Sequence, residues 1–219
     1  MNEIIKKYCT EEWSEFIAFH SDNVKVEAGD YIFKAGEDTL GLYIIESGKV
    51  KVVINNNDQS ERIIRLISTK DVLGHRGFGG DWKYSVSAIA LEDSVLTFIP
   101  LKIFNYVVKA NPEFGYYMMM FFAEELRESE RLATNLPIRN VIASVIYNIY
   151  KVFGLEKGSE TKLSFTLSRK DIANQAGTRY ETVVRVLADL KKEGVIQIDG
   201  KAIHILNVEK LVNIKNGIE

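Results

Sequence analysis

Residues 167–195 read LSRKDIANQAGTRYETVVRVLADLKKEGV, and this stretch predicts two helices joined by a tight turn. Ser168 stands where it can cap the first helix, and Leu167 and Ile172 are spaced around it as a hydrophobic staple. Gly177 is expected to end that helix, because glycine adopts a positive φ without steric cost. The stretch is therefore interpreted as a helix-turn-helix.

The second helix of this stretch is predicted to bury one face and expose the other. Thr178 is placed to cap it, with Glu181 at the third position as a capping box. Apolar residues recur at helical spacing on the buried face: Val183, Val186, Leu187 and Leu190. Polar residues occupy the N-terminal half: Arg179, Tyr180, Glu181 and Arg185. This is the geometry of a helix that reads base edges in the DNA major groove.

The polar residues have side chains suited to base readout. Arg179 and Arg185 can form bidentate pairs with guanine, and Glu181 can accept from the amino group of cytosine. Tyr180 can contact a phosphate or a base. Structural roles are open for the same residues, since Glu181 could serve only the capping box. Arg185 could instead pair with Glu181 or with Asp189, four residues away.

A hairpin pattern follows the two helices. Two apolar segments flank Asp199-Gly200, which is a strong two-residue turn signal. We interpret the hairpin as the wing of a winged helix. Lys201 beside its turn is placed to reach a phosphate. Three residues complete the set of candidate DNA contacts: Ser168, Thr178 and Lys201.

The charge of the chain is divided unevenly. Residues 137–219 contain 13 Lys and Arg against 9 Asp and Glu, a net charge of +4, although the whole chain carries −2. Residues 1–136 therefore carry −6. The C-terminal part is the part suited to bind a polyanion such as DNA.

Composition excludes several other classes of protein. The single cysteine, Cys9, excludes a disulfide framework and a Cys-ligated zinc or iron–sulfur site within one chain. No apolar run approaches the ~20 residues that span a bilayer, and no signal peptide is evident. The three histidines, His20, His75 and His204, are widely separated, so no metal site is predicted. We expect a cytoplasmic protein without membrane contact and without a catalytic centre.

Residues 24–100 show many short apolar segments that alternate with turns. Val50 and Val52 alternate with lysine, and glycines punctuate the pattern at several positions. This pattern predicts a β-barrel or jelly roll. The signals that define it are Gly29, Gly36-Glu37, Tyr43-Ile44-Ile45, Gly48, Val50, Val52 and Gly74.

Taken with the helix-turn-helix, these signals resemble the Crp/Fnr family of bacterial transcription regulators, over residues 20–206. The resemblance implies an α+β fold with an N-terminal β-roll of the cyclic-nucleotide-binding kind, a long dimerisation helix and a C-terminal winged helix-turn-helix. The expected domains are an effector-sensing β-roll over 1–110, a dimerisation helix over 111–136 and a DNA-binding domain over 137–219.

The long helix should open at Asn111-Pro112, where proline is tolerated. One face, Phe114, Tyr117 and Phe121, is expected to pack on the roll. A second seam advances in steps of four and three, which is coiled-coil spacing: Gly115, Met119, Phe122, Leu126, Ser129, Ala133 and Leu136. The dimerisation residues predicted from it are Met119, Phe122, Leu126, Ser129, Ala133 and Leu136. The alternative is that the seam packs within one chain.

The resemblance also places an effector segment at residues 72–85. Gly74 and Ser85 fit the family's pattern, but His75 replaces the Glu that binds ribose and Tyr84 replaces the Arg that binds the cyclic phosphate. We therefore expect that the effector, whose identity is not indicated, is not cyclic AMP bound in the usual way. The candidate effector residues are Gly74, His75, Arg76, Tyr84, Ser85 and, on the long helix, Ser129. No cofactor is indicated.

The sequence thus predicts a homodimeric, sequence-specific DNA-binding regulator that recognises a pseudo-palindromic site. The resemblance adds RNA polymerase as an expected partner, with an exposed Phe78 or Trp82 as possible contacts. One alternative is a ligand-binding β-roll module whose helix-turn-helix binds protein. An enzyme on a β-barrel is a weaker alternative, because no nucleophile–base pair or metal cluster is evident.

Overall fold

The computed structural model describes residues 9–55, 61–131 and 136–218, without the side chains of 128–131. The described residues group into two compact units. One lies within Met1–Val52 and Ser68–Thr134, and the other within Val53–Ile67 and Asn135–Glu219.

Among the described residues up to 100 there are one helix and eight strands, and the strands form two antiparallel four-stranded sheets. They are α1 (Glu11–Phe19), β1 (Asp22–Val26), β2 (Tyr31–Phe33), β3 (Gly41–Ser47), β4 (Lys49–Asn55), β5 (Glu61–Ser68), β6 (Val72–Leu73), β7 (Ser87–Ala90) and β8 (Ser94–Pro100). The strand orders are β1-β8-β3-β6 and β2-β7-β4-β5. A 3₁₀ turn, His75–Gly77, follows β6. The predicted α+β fold with an N-terminal β-roll is confirmed.

The alternation read from the sequence is seen directly in the strands. In β4, Val50 and Val52 are buried while Lys51 between them is partly exposed. Successive side chains point to opposite faces of a strand, so Val50 and Val52 face the core together, while Val53 on the opposite face is also buried.

Two helices follow the roll, α2 (Leu101–Ala110) and α3 (Pro112–Arg131). The Asn111 side-chain carbonyl accepts from the Phe114 backbone N–H at 3.1 Å, so Asn111 caps α3 and Pro112 takes its first position. Phe114 is buried in the core formed with α1, α2 and the roll, and Tyr117 and Phe121 pack partly against it. The predicted roll-facing side of the long helix is confirmed, and Met118 also belongs to it.

The C-terminal unit holds four helices and a hairpin. They are α4 (Ile138–Phe153), α5 (Arg169–Ala176), α6 (Tyr180–Lys192), β9 (Ile196–Asp199), β10 (Ala202–Ile205) and α7 (Val208–Asn216). The buried Asn140 side chain donates to the Ile214 carbonyl at 2.6 Å and so joins α4 to the end of α7. The helix-turn-helix is α5 and α6, and the wing is β9 and β10.

Two local predictions were wrong by one residue. The Thr178 N–H bonds back to the Ala173 carbonyl at 3.0 Å, so Thr178 belongs to the turn that ends α5. Arg179 is the N-cap of α6 with no side-chain capping bond, and the Thr178–Glu181 capping box is absent. In the wing, Asp199 pairs with Ala202, so the turn is Gly200-Lys201 rather than Asp199-Gly200.

None of the helices in the described part of the chain is long and apolar enough to cross a membrane.

Candidate functional site

The surface of α6 is fixed by its buried side and by the turn before it. Ser168 caps α5, because its hydroxyl accepts from the Asp171 N–H at 3.0 Å. Gly177 ends α5 in the left-handed region, with φ of 64° and ψ of 39°. The buried face of α6 comprises Val183, Val186, Leu187 and Leu190. Anchoring by this face leaves the opposite side of α6 as a rigid exposed surface.

The four residues proposed for base readout all lie on that exposed side. Arg179, Tyr180, Glu181 and Arg185 are solvent-exposed. Within the described parts of the chain, no ion pair or hydrogen bond engages the Arg185 side chain, so neither predicted intrahelical partner holds it. The guanidinium of Arg185 is therefore available to a ligand.

Two residues of this surface escaped the sequence interpretation. Val184 lies on α6 beside Arg185 and is 44% exposed. Its signal was present, because residues 181, 184, 185 and 188 share one helical face. The second overlooked residue is Arg169, at the start of α5 and near Tyr180. Partial burial lowers the pKa of its guanidinium, and the interaction with Tyr180 opposes that shift. An apolar exposed Val184 is suited to contact a thymine methyl group.

The remaining candidate DNA contacts differ in exposure. Ser168 is exposed but its hydroxyl is engaged with Asp171, to whose carboxylate it donates at 2.6 Å. Thr178 is partly buried in the turn. Lys201 is exposed and stands in the wing turn itself, next to Gly200 at φ of 54°.

Tyr84, in the segment predicted to bind an effector, has a buried side chain. The Tyr84 ring is buried and stacks on Phe33 with ring centroids 4.0 Å apart. Its hydroxyl donates to the Gly41 carbonyl at 3.3 Å. Burial raises the pKa of Tyr84, and it raises the pKa of the neighbouring Tyr43 to about 12. Both phenols are therefore neutral at physiological pH and offer no charge to an anionic ligand.

The other residues of the segment are placed differently. Gly74 has φ of 87°, and a Cβ there would lie 2.7 Å from the Gly41 carbonyl oxygen, so only glycine fits. Ser85 is exposed. His75 is buried, and Arg76 is exposed. Both face Glu125 of α3, with Arg76 Nη2 at 3.1 Å and His75 Nε2 at 3.5 Å from the carboxylate.

The second seam of α3 is an exposed apolar stripe. Met119 is 57% exposed, Phe122 36% and Leu126 63%. Leu136, beyond the described end of α3, is also exposed. The Ser129 side chain and Ala133 lie outside the described residues, so the dimerisation and effector predictions for them have no structural description. An exposed stripe of this size on one helix is typical of an interaction surface.

No group of three or more His, Cys, Asp or Glu side chains among the described residues could hold a metal ion. The lone thiol, Cys9, is buried, and that burial raises its pKa to about 11.

Two protein families match this chain. The cyclic nucleotide-binding domain matches residues 23–111, and the Crp-like helix-turn-helix domain matches residues 142–214. These regions coincide with the roll and its helix, and with the helix-turn-helix and wing.

Similar proteins match over most of the chain. The fumarate and nitrate reduction regulatory protein of Vibrio cholerae is 28% identical over 192 residues, which are 86% of this chain and 76% of that protein. Electron transport regulator A of Shewanella oneidensis is 29% identical over 189 residues, 85% of this chain and 75% of that protein. The solved structure of FixK2 from Bradyrhizobium japonicum has the same fold, with a TM-score of 0.78 and 19% identity over 89% of this chain and 96% of FixK2.

Proposed function

The chain belongs to the Crp/Fnr family of DNA-binding transcription regulators, and from that premise we propose that it is a cytoplasmic homodimer that reads a pseudo-palindromic DNA site. The protein acts by binding, with no catalytic step. The observation that carries the proposal is the exposed edge of α6, where Arg179, Glu181 and Arg185 stand opposite a fully buried face.

The DNA contacts divide into readout and positioning. Arg185 and Arg179 are assigned to guanine, and Glu181 to the amino group of cytosine. Tyr180 and Lys201 are assigned to the phosphate backbone, which positions the protein without reading sequence. Ser168 and Thr178 remain secondary candidates, because one hydroxyl is engaged by Asp171 and the other residue is partly buried.

The dimer is supported by the stripe on α3. Met119, Phe122 and Leu126 advance in steps of three and four, so a second copy of the helix would cover them along one seam. Symmetric pairing presents two α6 helices, and a spacing of about 34 Å, one turn of DNA, would let both enter successive major grooves. The seam is proposed to continue through Ser129, Ala133 and Leu136.

The signal is proposed to act as a population shift. The roll senses an effector, and paired α3 helices transmit its state across Pro137 to the DNA-binding units. Cyclic AMP bound in the usual way is disfavoured, because Tyr84 stands in place of the phosphate-binding Arg, is stacked on Phe33 and keeps its hydroxyl on the Gly41 carbonyl. RNA polymerase is the proposed further partner. Trp82, 44% exposed, is the better contact, since Phe78 packs on Phe104 with ring centroids 4.9 Å apart.

Selection of bound sequences from random DNA tests the function. We expect an inverted repeat with half-site centres about 10 base pairs apart. Affinity for that site should fall steeply with salt, because phosphate contacts release counterions. Sedimentation should give a dimer in the free protein. Recovery of no sequence preference, or binding that does not respond to salt, would favour a helix-turn-helix that binds protein.

A further inference from the structure

We infer that the carboxylate of Glu125, held by Arg76 and His75, is the contact that couples the β-roll to the dimer helix α3, directly and without a ligand between them. The inference rests on the proposed function, and it assigns a regulatory role to one side chain of the long helix. All three residues lie in the same compact unit.

The Glu125 side chain is a largely buried acid with a specific partner. It is only 11% exposed, and Arg76 Nη2 lies 3.1 Å from its Oε2. A carboxylate withdrawn from water is costly unless a cation and hydrogen bonds compensate it. The Arg76 contact therefore favours one position of α3 relative to the roll over positions in which the carboxylate would lose its partner.

His75 is the buried neighbour of the Arg76–Glu125 pair. It is 6% exposed, and neither ring nitrogen has a hydrogen-bond partner in the described structure. Its Nε2 lies 3.5 Å from Glu125 Oε2. Its ring meets Phe121 edge-on at 5.2 Å and lies 5.8 Å from Phe122, measured between ring centroids. His75 thus touches both the face of α3 that packs on the roll and the stripe proposed to pair with a second copy.

The turn that carries these two residues is held firmly by the roll. Gly74, at its start, adopts φ of 87° and packs so close to the Gly41 carbonyl oxygen that a Cβ there would lie 2.7 Å from it. At the other end, the Thr39 hydroxyl donates to the Gly77 carbonyl at 3.0 Å. Because both ends are fixed, a displacement of the roll moves His75 and Arg76 together, and the Glu125 contact transfers that displacement to α3.

The position of this contact explains its regulatory value. His75 and Arg76 stand in the segment that the family resemblance assigns to the effector, and α3 carries the stripe proposed for dimerisation. Glu125 is the charged contact between the long helix and this segment, beside the ring contacts of His75 with Phe121 and Phe122. An agent that moves the turn therefore disturbs this ion pair, whatever the agent is.

Glu125→Gln and Arg76→Gln test the coupling, alone and together, with Glu124→Gln as the matched control. Glu124 is the preceding residue, its side chain is 57% exposed, and among the described side chains it pairs locally with Arg127 at 3.3 Å. The DNA probe is the sequence selected from random DNA by the unmodified protein. We expect each of Glu125→Gln and Arg76→Gln to lower affinity at least about fivefold. The double variant should bind no more weakly than the weaker single variant, and Glu124→Gln should bind within about twofold of the unmodified protein.

Amide hydrogen exchange of residues 121–126 gives a readout independent of DNA. Exchange there should accelerate in Glu125→Gln and Arg76→Gln but not in Glu124→Gln. Equal exchange in all three variants would overturn the coupling even if DNA binding stands, as would losses of affinity that multiply in the double variant. If the unmodified protein selected no site, the proposed function would be refuted. The exchange experiment would still test the coupling, because it needs no DNA. Since the Arg76 side chain is 38% exposed, its variant reports the contact even if Glu125→Gln fails to fold.

Discussion

Arg185→Ala is the perturbation that most directly separates base readout from simple attraction to DNA. The side chain is exposed on α6 and, among described residues, makes no ion pair or hydrogen bond. The neighbouring core residues Val186 and Leu187 are untouched by the change. The free energy of unfolding should therefore stay within about 0.5 kcal/mol.

The expected loss of affinity follows from the chemistry of one contact used twice. A bidentate arginine–guanine pair contributes about 1–3 kcal/mol of discrimination. A dimer forms two such contacts, so a full site should lose about 2–6 kcal/mol, which is roughly 30-fold or more in affinity. A half-site should lose about half of that free energy.

Fluorescence anisotropy with the selected duplex and with random duplex measures both affinities at one salt concentration. Lys191→Ala is the matched control, because it removes the same charge from the same helix near its C-terminal end. Arg185→Ala should weaken binding to the selected duplex far more than to random DNA, whereas Lys191→Ala should affect the two alike. If Arg185→Ala weakened both by the same factor, Arg185 would be a phosphate contact and the assignment to guanine would be refuted.

Three further predictions address the dimer, the pH response and the roll. Leu126→Glu should give a monomer by sedimentation and abolish tight binding to the full site, because like charges would face each other across the seam; an unchanged dimer would remove α3 from the interface. The hydrogen bonds from Arg139, at 2.8 Å, hold the pKa of Glu193 below its usual range. This pair should therefore stabilise the fold above the unfolded-state pKa of about 4.3, and lose that effect as pH falls through the lower folded pKa. Glu193→Gln should flatten the dependence of the free energy of unfolding on pH below about 5, and a slope equal to that of the unmodified protein would contradict this. Tyr84→Phe should cost about 1 kcal/mol by chemical denaturation, since it leaves the Gly41 carbonyl without its donor. Cyclic AMP should shift the melting temperature of neither protein, and a shift in the unmodified one would show that the roll opens for it.

Local sequence signals were sufficient for the architecture of the DNA-binding unit. Ser168 and Gly177 act through contacts within a few residues, so their capping and chain-reversing roles are visible in the sequence. The buried face of α6 is likewise predicted from the helical spacing of its apolar residues, without knowledge of tertiary contacts. The exposed position of Val184 followed from the same period and was overlooked.

The two predictions that were wrong by one residue concern the start of α6 and the wing turn. At both places two backbone arrangements compete, and the sequence alone does not show which one forms. Thr178 is a favoured type of helix cap, yet its N–H donates to the Ala173 carbonyl in closing α5. Arg179 therefore takes the cap position despite its poor intrinsic preference. In the wing, the pairing of Asp199 with Ala202 moves the turn forward, and Gly200 supplies the positive φ at the first turn position.

The contacts of the predicted effector segment could not be predicted from the sequence, because they join residues that are distant in the chain. Tyr84 was visible as a replacement for arginine, but nothing local indicates that its ring stacks on Phe33, 51 positions earlier. Glu125 was not singled out at all, because an acid on a long helix is usually solvated. The role proposed for Glu125 depends on its contact with Arg76, 49 residues away, and on the burial of its side chain. A side chain whose role depends on a distant partner is found only once the chain is folded, which is why most exposed residues of α6 were predicted from the sequence and the contact of Glu125 with Arg76 was not.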